Sequence, residues 1–314
     1  MELVGRVAEI VCFGECMVEL SKTMLGGKSW AMGYAGDTYN VAVYAQRLGV
    51  QTAYMTAIGN DEFSNEMFAE WQNEGVDTSL VLRHPDRIVG LYAIRVDPLG
   101  ERSFTYWRSH AAAREFFACP GADGALAQAS RARLLYVSGI TLSLFGPNER
   151  SRIMDLARAV RLNGGKVAFD TNYRAKGWQD DAAAREAFTA FGRLSDIVLP
   201  TLDDDRALFG DAGPANCARR WLDLGASEVA VKMGADGVYV ATPAEGRQVA
   251  APIITNVHDT TGAGDSFNAA YLAHRLGGKD PWDAAKAATV LAARVIQHPG
   301  ALLPRVLMPL SRPD

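Results

Sequence analysis

The sequence predicts an α/β fold: a three-layer α/β/α sandwich around a mostly parallel central sheet. Three observations carry that prediction. Short Val/Ile-rich runs alternate along the chain with amphipathic runs of helical length. Runs such as Leu134-Leu135-Tyr136-Val137 and Val229-Ala230-Val231 are apolar continuously, as strands are when helices cover both sheet faces. Glycines punctuate the pattern where helices end, at Gly49, Gly75 and Gly277-Gly278.

Taken in order, residues 9–14 read as the first strand and 37–48 as the first helix. A strand at 52–58 and a helix at 61–74 follow. The alternation continues through strands at 134–138, 166–170, 197–200 and 228–232, with helices at 148–162, 181–194 and 216–224 between them. A tight turn joins 228–232 to a further strand at 238–241. The last third is helical, with 265–276 followed by 281–296, which starts on Pro281. One segment breaks the series: 87–96 and 101–108 are β-type runs joined by Asp97-Pro98-Leu99-Gly100, a turn sequence. A hairpin without a crossover helix projects from the main sheet. Its apolar residues lie on both faces, Val89, Leu91 and Ala93 against Ile88, Tyr92 and Ile94, so each face needs cover. Closure over a substrate, a partner subunit in a homodimer, or packing within the chain all meet that need.

A chain of 314 residues slightly exceeds the size at which one core stops growing, which suggests one large domain with an appendage, or two domains. Charged residues make up 22% and the net charge is -4, so there is no electrostatic footprint for nucleic acid. No run approaches the ~18 apolar residues of a membrane span, and the N-terminus leads into a strand, which together predict a cytoplasmic protein. Cys12, Cys16, Cys119 and Cys217 lack CxxC spacing and read as reduced packing thiols. The five histidines, His84, His110, His258, His274 and His298, show no metal-ligand spacing.

The most informative string is Asp259-Thr260-Thr261-Gly262-Ala263-Gly264-Asp265-Ser266-Phe267-Asn268-Ala269. Gly262 and Gly264 flank Ala263, so backbone N–H groups can converge on one point, and the helix that follows adds its positive N-terminal end. That is a cradle for an anion. Asp265 beside it is placed to accept a proton from an attacking hydroxyl. A Gly-rich helix start with an ordinary acidic first-turn residue accounts for the short pattern equally well.

With these elements placed, the chain resembles the PfkB (ribokinase-like) carbohydrate kinases, and among them the 2-keto-3-deoxygluconate kinases. The resemblance spans nearly the whole chain. It rests on Ala35-Gly36-Asp37-Thr38-Tyr39-Asn40-Val41-Ala42, running on to Leu48-Gly49, and on the Asp259 to Asp265 string, in the family's order and spacing. It implies a single ribokinase-like domain over 1–314 with a small β-sheet lid formed mainly by about 15–35 and 87–110. It implies ATP-dependent phosphorylation of a sugar hydroxyl with Mg²⁺, Asp265 as general base and the backbone of Gly262, Ala263 and Gly264 as anion hole. The product would be 2-keto-3-deoxy-6-phosphogluconate. A kinase for fructose or another keto-sugar or keto-sugar acid, and a silent sugar-binding protein on the same fold, are the alternatives.

The resemblance also distributes the binding residues. Gly36, Asp37 and Asn40 contact sugar hydroxyls, although Asp37 reads equally as a plain helix N-cap. Gly90-Leu91-Tyr92 and Tyr106-Trp107-Arg108 match the lid pattern in which Tyr92, Tyr106 and Arg108 face the substrate. A guanidinium fork suits a carboxylate, which gives Arg108 its role on a sugar acid. Arg174, in Asp170-Thr171-Asn172-Tyr173-Arg174 after a central strand, touches the acid or a phosphate, and Asn172 lies near the nucleotide. Lys232-Met233-Gly234-Ala235-Asp236-Gly237 resembles the nucleotide loop, assigning Lys232, Gly234 and Gly237 to ATP. The family's Asn-x-x-Glu run is Thr201-Leu202-Asp203-Asp204 here, leaving Asp204 as a magnesium neighbour through water.

Overall fold

The computed structural model describes residues 8–22, 29–96 and 102–308. Its strands are β1 (Ile10–Phe13), β2 (Met17–Lys22), β3 (Trp30–Ala35), β4 (Thr52–Ile58), β5 (Val81–Arg83), β6 (Leu91–Val96) and β7 (Arg102–Trp107). They continue with β8 (Leu134–Ser138), β9 (Lys166–Asp170), β10 (Ile197–Val198), β11 (Glu228–Lys232), β12 (Val238–Ala241) and β13 (Gly246–Val249). The first five α-helices are α1 (Asp37–Arg47), α2 (Glu62–Asn73), α3 (Ala122–Ala129), α4 (Gly139–Ser143) and α5 (Pro147–Leu162). The others are α6 (Asp181–Gly192), α7 (Leu202–Phe209), α8 (Pro214–Asp223), α9 (Ala263–Leu276) and α10 (Pro281–Val295).

Nine strands form the main sheet in the order β13-β12-β11-β10-β9-β8-β1-β4-β5. All its pairs are parallel except β11 with β12 and β12 with β13. The period-2 alternation of β1 shows why three layers result. Ile10 and Cys12 point into a core shared with α1, α9 and α10, whereas Val11 and Phe13 point into one shared with α3, α5, α6 and α8. Helix starts follow from local chemistry. Asp61 and Asp180 cap α2 and α6 by accepting from Ser64 N and Ala183 N, at 3.0 and 2.8 Å, and proline begins α5, α8 and α10. All four cysteines are buried and free. Among the described residues no helix is long and apolar enough to cross a membrane.

The hairpin belongs to a separate four-stranded sheet of order β3-β2-β6-β7. Its β6 begins at Leu91 rather than at residue 87, because Ile88 instead makes a single bridge to Ala111. The Asp97-Pro98-Leu99-Gly100 turn lies outside the described residues. Unforeseen in the strand reading were β2 and β3, which flank the hairpin: β2 pairs parallel with β6 and antiparallel with β3. The covered face is settled within the chain, since Tyr92 and Ile94 pack with Met17, Ala35 and Ala301. On the opposite face Val18 is buried at the base of the sheet, while Trp30, Met32 and Trp107 remain 38%, 48% and 58% exposed.

Candidate active site

Strand ends and helix starts converge at one place. β1, β8, β9 and β11 deliver their C-terminal ends there, and α1 and α9 present their N-termini, the usual ligand-binding edge of an open parallel sheet. Gly262 caps α9 with φ +74, a left-handed conformation open to glycine, and a Cβ there would lie 2.4 Å from the carbonyl oxygen of Ala301. The helical ladder opens with Ser266 N donating to Gly262 O at 2.8 Å, so the N–H groups of Gly264 and Asp265 precede it. Asp259 ties this turn to the following loop by accepting from Thr261 N at 2.7 Å and Gly300 N at 2.9 Å.

Asp265, in the first turn of α9, accepts a 2.7 Å hydrogen bond from Asn40 Nδ2 of α1. The two family-like strings, 225 residues apart, thus meet through one contact. Loss of water pushes the Asp265 carboxyl up to about 7, and Asp37 and Asp170 push the same way, while Asn40 and Lys232 oppose them. Asp37 is the first residue of α1 and not its cap, a position held by Gly36. A Cβ on Gly36 would sit 2.1 Å from Glu15 O, so close backbone approach is the reason for glycine. Asp37 accepts from Asn172 Nδ2 at 2.9 Å, and its carboxyl is raised, mainly by burial. Asn172 itself, at φ +31, is the one non-glycine residue with positive φ among the described residues. Its side chain is thereby bonded to Asp37 at the start of α1, whereas the family resemblance had implied a place near the nucleotide.

Across the cleft, the lid sheet presents Tyr92, whose hydroxyl donates to Glu19, and Tyr106, with the Arg108 guanidinium 5.8 Å from its ring centre. Burial raises the Tyr106 hydroxyl above its ordinary value, and the nearby Arg108 and Arg174 only partly oppose that rise. Arg108, however, is not waiting alone. It forms an ion pair with the buried Glu15, of which Oε1 has no partner, and the Arg108 Nε has none either. Arg174 Nη1 donates to Asp204 Oδ2 at 3.0 Å and to Tyr173 O at 2.6 Å. A carboxylate of this kind would suit a hydrated magnesium, and Asp204, whose present partner is Arg174, is the side chain that would hold one here. The group Asp205, Asp211 and Cys217 is structural instead, since Arg220 Nη2 fills it at 2.7 and 2.6 Å from the two carboxylates.

At the 232–237 loop the expected hairpin forms. Gly234 and Gly237 take φ +57 and +88 around a short 3₁₀ turn, with Met233 N bonded to Gly237 O. Lys232 points elsewhere: its ammonium is buried against Asp170 and Asn268. Sequence reasoning assigned no role to Glu15, Glu19, Asp170 or Asn268. The available signal was polarity out of place: Asp170 directly follows the apolar run Val167-Ala168-Phe169, and Glu15 lies two residues past the apolar strand that ends at Phe13.

An acid poised near neutrality beside an open helix N-terminus, under a small β-sheet, defines a phosphotransferase site for a hydroxylated substrate. The comparisons with known proteins agree. The pfkB family carbohydrate kinase model matches residues 7–306, so the chain belongs to the pfkB family of carbohydrate kinases. It is 42% identical over 308 residues to a 2-dehydro-3-deoxygluconokinase of Dickeya dadantii, covering 96% of this chain and 98% of that protein. The enzyme of the same name from Escherichia coli K12 is 40% identical over 309 residues, covering 96% and 99%. A crystal structure of fructokinase from Vibrio cholerae with fructose, ADP and calcium superposes with a TM-score of 0.80 at 25% identity, covering 94% of each chain.

Proposed function

We propose that the protein transfers the γ-phosphoryl group of ATP to a hydroxyl of 2-keto-3-deoxygluconate, giving 2-keto-3-deoxy-6-phosphogluconate. The observation that carries this reading is the placement of Asp265, held by Asn40 and raised in proton affinity, at the open N-terminus of α9. Asp265 takes the proton of the attacking hydroxyl as the oxygen–phosphorus bond forms. The N–H groups of the 262–264 turn stabilise charge on the phosphoryl oxygens, which is most of what this transfer asks of a protein. Magnesium, when bound with the nucleotide, neutralises phosphate charge, with Asp204 as its protein neighbour. The Gly234 and Gly237 turn lets the chain approach the nucleotide closely.

The substrate is chosen by the cations opposite. Arg108 and Arg174 receive the carboxylate, Gly36, Asp37 and Asn40 the hydroxyls, and Tyr92 and Tyr106 the carbon skeleton as the lid closes. The names of the two relatives support an acid. The Glu15–Arg108 pair supports a second reading, a neutral keto-sugar such as fructose, because a paired arginine offers less charge to a carboxylate. Trp30, Met32 and Trp107 support a homodimer through the outer lid face.

The test is ATP consumption against 2-keto-3-deoxygluconate, its galactonate epimer and fructose. Turnover confined to the acids is expected; preference for fructose supports the second reading, and sugar binding without turnover would defeat both. Asp265→Asn should lower kcat by about 10²–10⁴-fold while nucleotide binding, measured calorimetrically, persists.

A further inference from the structure

Beneath the anion hole lies a buried ion pair to which the mechanism above gives no task. Lys232 ends β11 at only 8% exposure. Its ammonium donates to Asp170 Oδ2 at 3.0 Å and to Asn268 Oδ1 at 3.1 Å. Asn268 Nδ2 in turn donates to the same Asp170 oxygen at 2.6 Å and to the Tyr136 hydroxyl at 3.0 Å. Side chains from β9 and α9 therefore clamp one ammonium of β11, and Tyr136 of β8 holds the Asn268 amide in place. Of its three hydrogens, two are accounted for by Asp170 and Asn268. On the remaining side the Lys232 Nζ is the nearest atom that a Cβ on Gly264 would meet, at 3.7 Å.

The position is costly on its face. The N-terminal end of α9 and the ammonium have the same sign, so helix dipole and cation repel. Burial adds a desolvation penalty that a single partner seldom repays in full. The strand asks for nothing polar, since Val229, Ala230 and Val231 are wholly buried and apolar. A charge kept at such a place, and held by two polar side chains, concentrates positive potential where phosphoryl oxygens gather negative charge.

We propose that Lys232, clamped by Asp170 and Asn268, is a positioning residue that strengthens the anion hole from beneath Gly264 and holds Asp265 ready to ionise. The inference rests on the reading of Asp265 as base and of the 262–264 turn as anion hole. It replaces the nucleotide contact that the resemblance had implied for Lys232. The groups facing Asp265 are Asp37, Asn40 and Tyr44 from α1, Tyr136 from β8, Asp170 from β9 and Lys232 from β11. Arg174 in turn faces Asp37 and Asp170. Asp170 and Lys232 act on the Asp265 proton with opposite signs. Their removal must therefore move the acid limb of activity in opposite directions, which a merely structural role does not predict.

The experiment is a kcat/KM pH profile for the wild type, Lys232→Met, Asp170→Asn and the double variant, with folding checked by circular dichroism. Lys232→Met should shift the acid limb to higher pH by about one unit, and lower kcat on the alkaline plateau about tenfold with little change in sugar KM. Asp170→Asn should shift the limb to lower pH, and the double variant should lie between the two. Limbs that stay at the wild-type position, or that both move the same way, would overturn the proposal. If Lys232→Met does not fold, the double variant set against Asp170→Asn isolates the lysine, and its limb must be the more alkaline. Asp265→Asn, run in parallel, separates the two readings. Full turnover there removes the base assignment, whereas a dead Asp265→Asn with unmoved limbs removes the role of Lys232 alone.

Discussion

Asp265 gives the residue scale its clearest consequences. Its carboxyl titrates at about 7, far above an exposed aspartate, chiefly because the cleft strips its water. As the proposed base it must be ionised, so kcat/KM should fall about tenfold per pH unit below about 7, an effect read from steady-state profiles and absent in Asp265→Asn. The stability consequence has the opposite sense. A carboxyl whose folded pKa is raised costs nothing below its unfolded value and destabilises increasingly as pH rises through the folded one. Asp265→Asn should therefore be more stable than the wild type at pH 8, by about 1–2 kcal/mol after allowance for the partly open site, and equal to it at pH 4 in thermal melts. Arg108 demands a different design. Removing it alone strands the buried Glu15 carboxylate, a loss of about 3–5 kcal/mol that has nothing to do with substrate. In Glu15→Gln/Arg108→Leu no charge is stranded. That double variant should raise KM for the sugar acid at least tenfold while leaving KM for a neutral sugar within about twofold; equal effects on both would remove Arg108 from the carboxylate site.

At the scale of elements, α9 and its entry turn carry the proposed chemistry, and the turn is set by one glycine. Gly262 holds φ +74 with the Ala301 carbonyl where a Cβ would go. Gly262→Ala would pay twice, for the left-handed backbone and for displacing the 298–301 loop that Asp259 anchors through Gly300 N. A stability loss above about 1 kcal/mol is expected, together with a kcat loss of about tenfold or more, because the N–H groups no longer converge. Gly264→Ala is the control: only the Lys232 ammonium lies within 4 Å of its Cβ, at 3.7 Å, so stability should hold. Calorimetry on the two variants distinguishes turn geometry from mere glycine content. The same element explains an error of reading at its partner α1. The spacing suggested Asp37 as the cap, but Gly36 occupies that position because the Glu15 carbonyl leaves no space for a side chain.

For the whole molecule, the consequence concerns the outer lid face. Trp30, Met32 and Trp107 share that face, as the β2–β3, β2–β6 and β6–β7 registers require. Two such faces laid together would cover them in a symmetric dimer. Sedimentation at micromolar concentration should give twice the chain mass of 33.9 kDa, and Trp107→Lys should shift the species to monomer. A wild-type monomer would leave the face without its proposed cover.

How much of this was legible without coordinates follows from the range of the forces involved. The strands 52–58, 134–138, 166–170, 228–232 and 238–241 were read to the residue, because continuous apolarity bounded by glycine and charge is a local property. The motif strings likewise marked Asn40, Asp265 and the Gly262 turn, since glycine at a left-handed turn is dictated within a few residues. For the lid, the resemblance supplied the span, about 15–35 and 87–110, while local pattern showed only the hairpin strands. Its strand β2, which pairs with β3 on one side, gains its other partner from β6, 73 residues further along, and no local pattern announces a parallel pairing at that distance. The charge partnerships were invisible altogether: Arg108 with Glu15, Arg174 with Asp204, and Lys232 with Asp170 and Asn268. The sequence by itself determined which elements form and which residue types stand ready for phosphoryl transfer. Tertiary structure alone decided which charges face each other, and so what each is free to bind, because electrostatic energy depends on separation through space and on burial, neither of which is written along the chain.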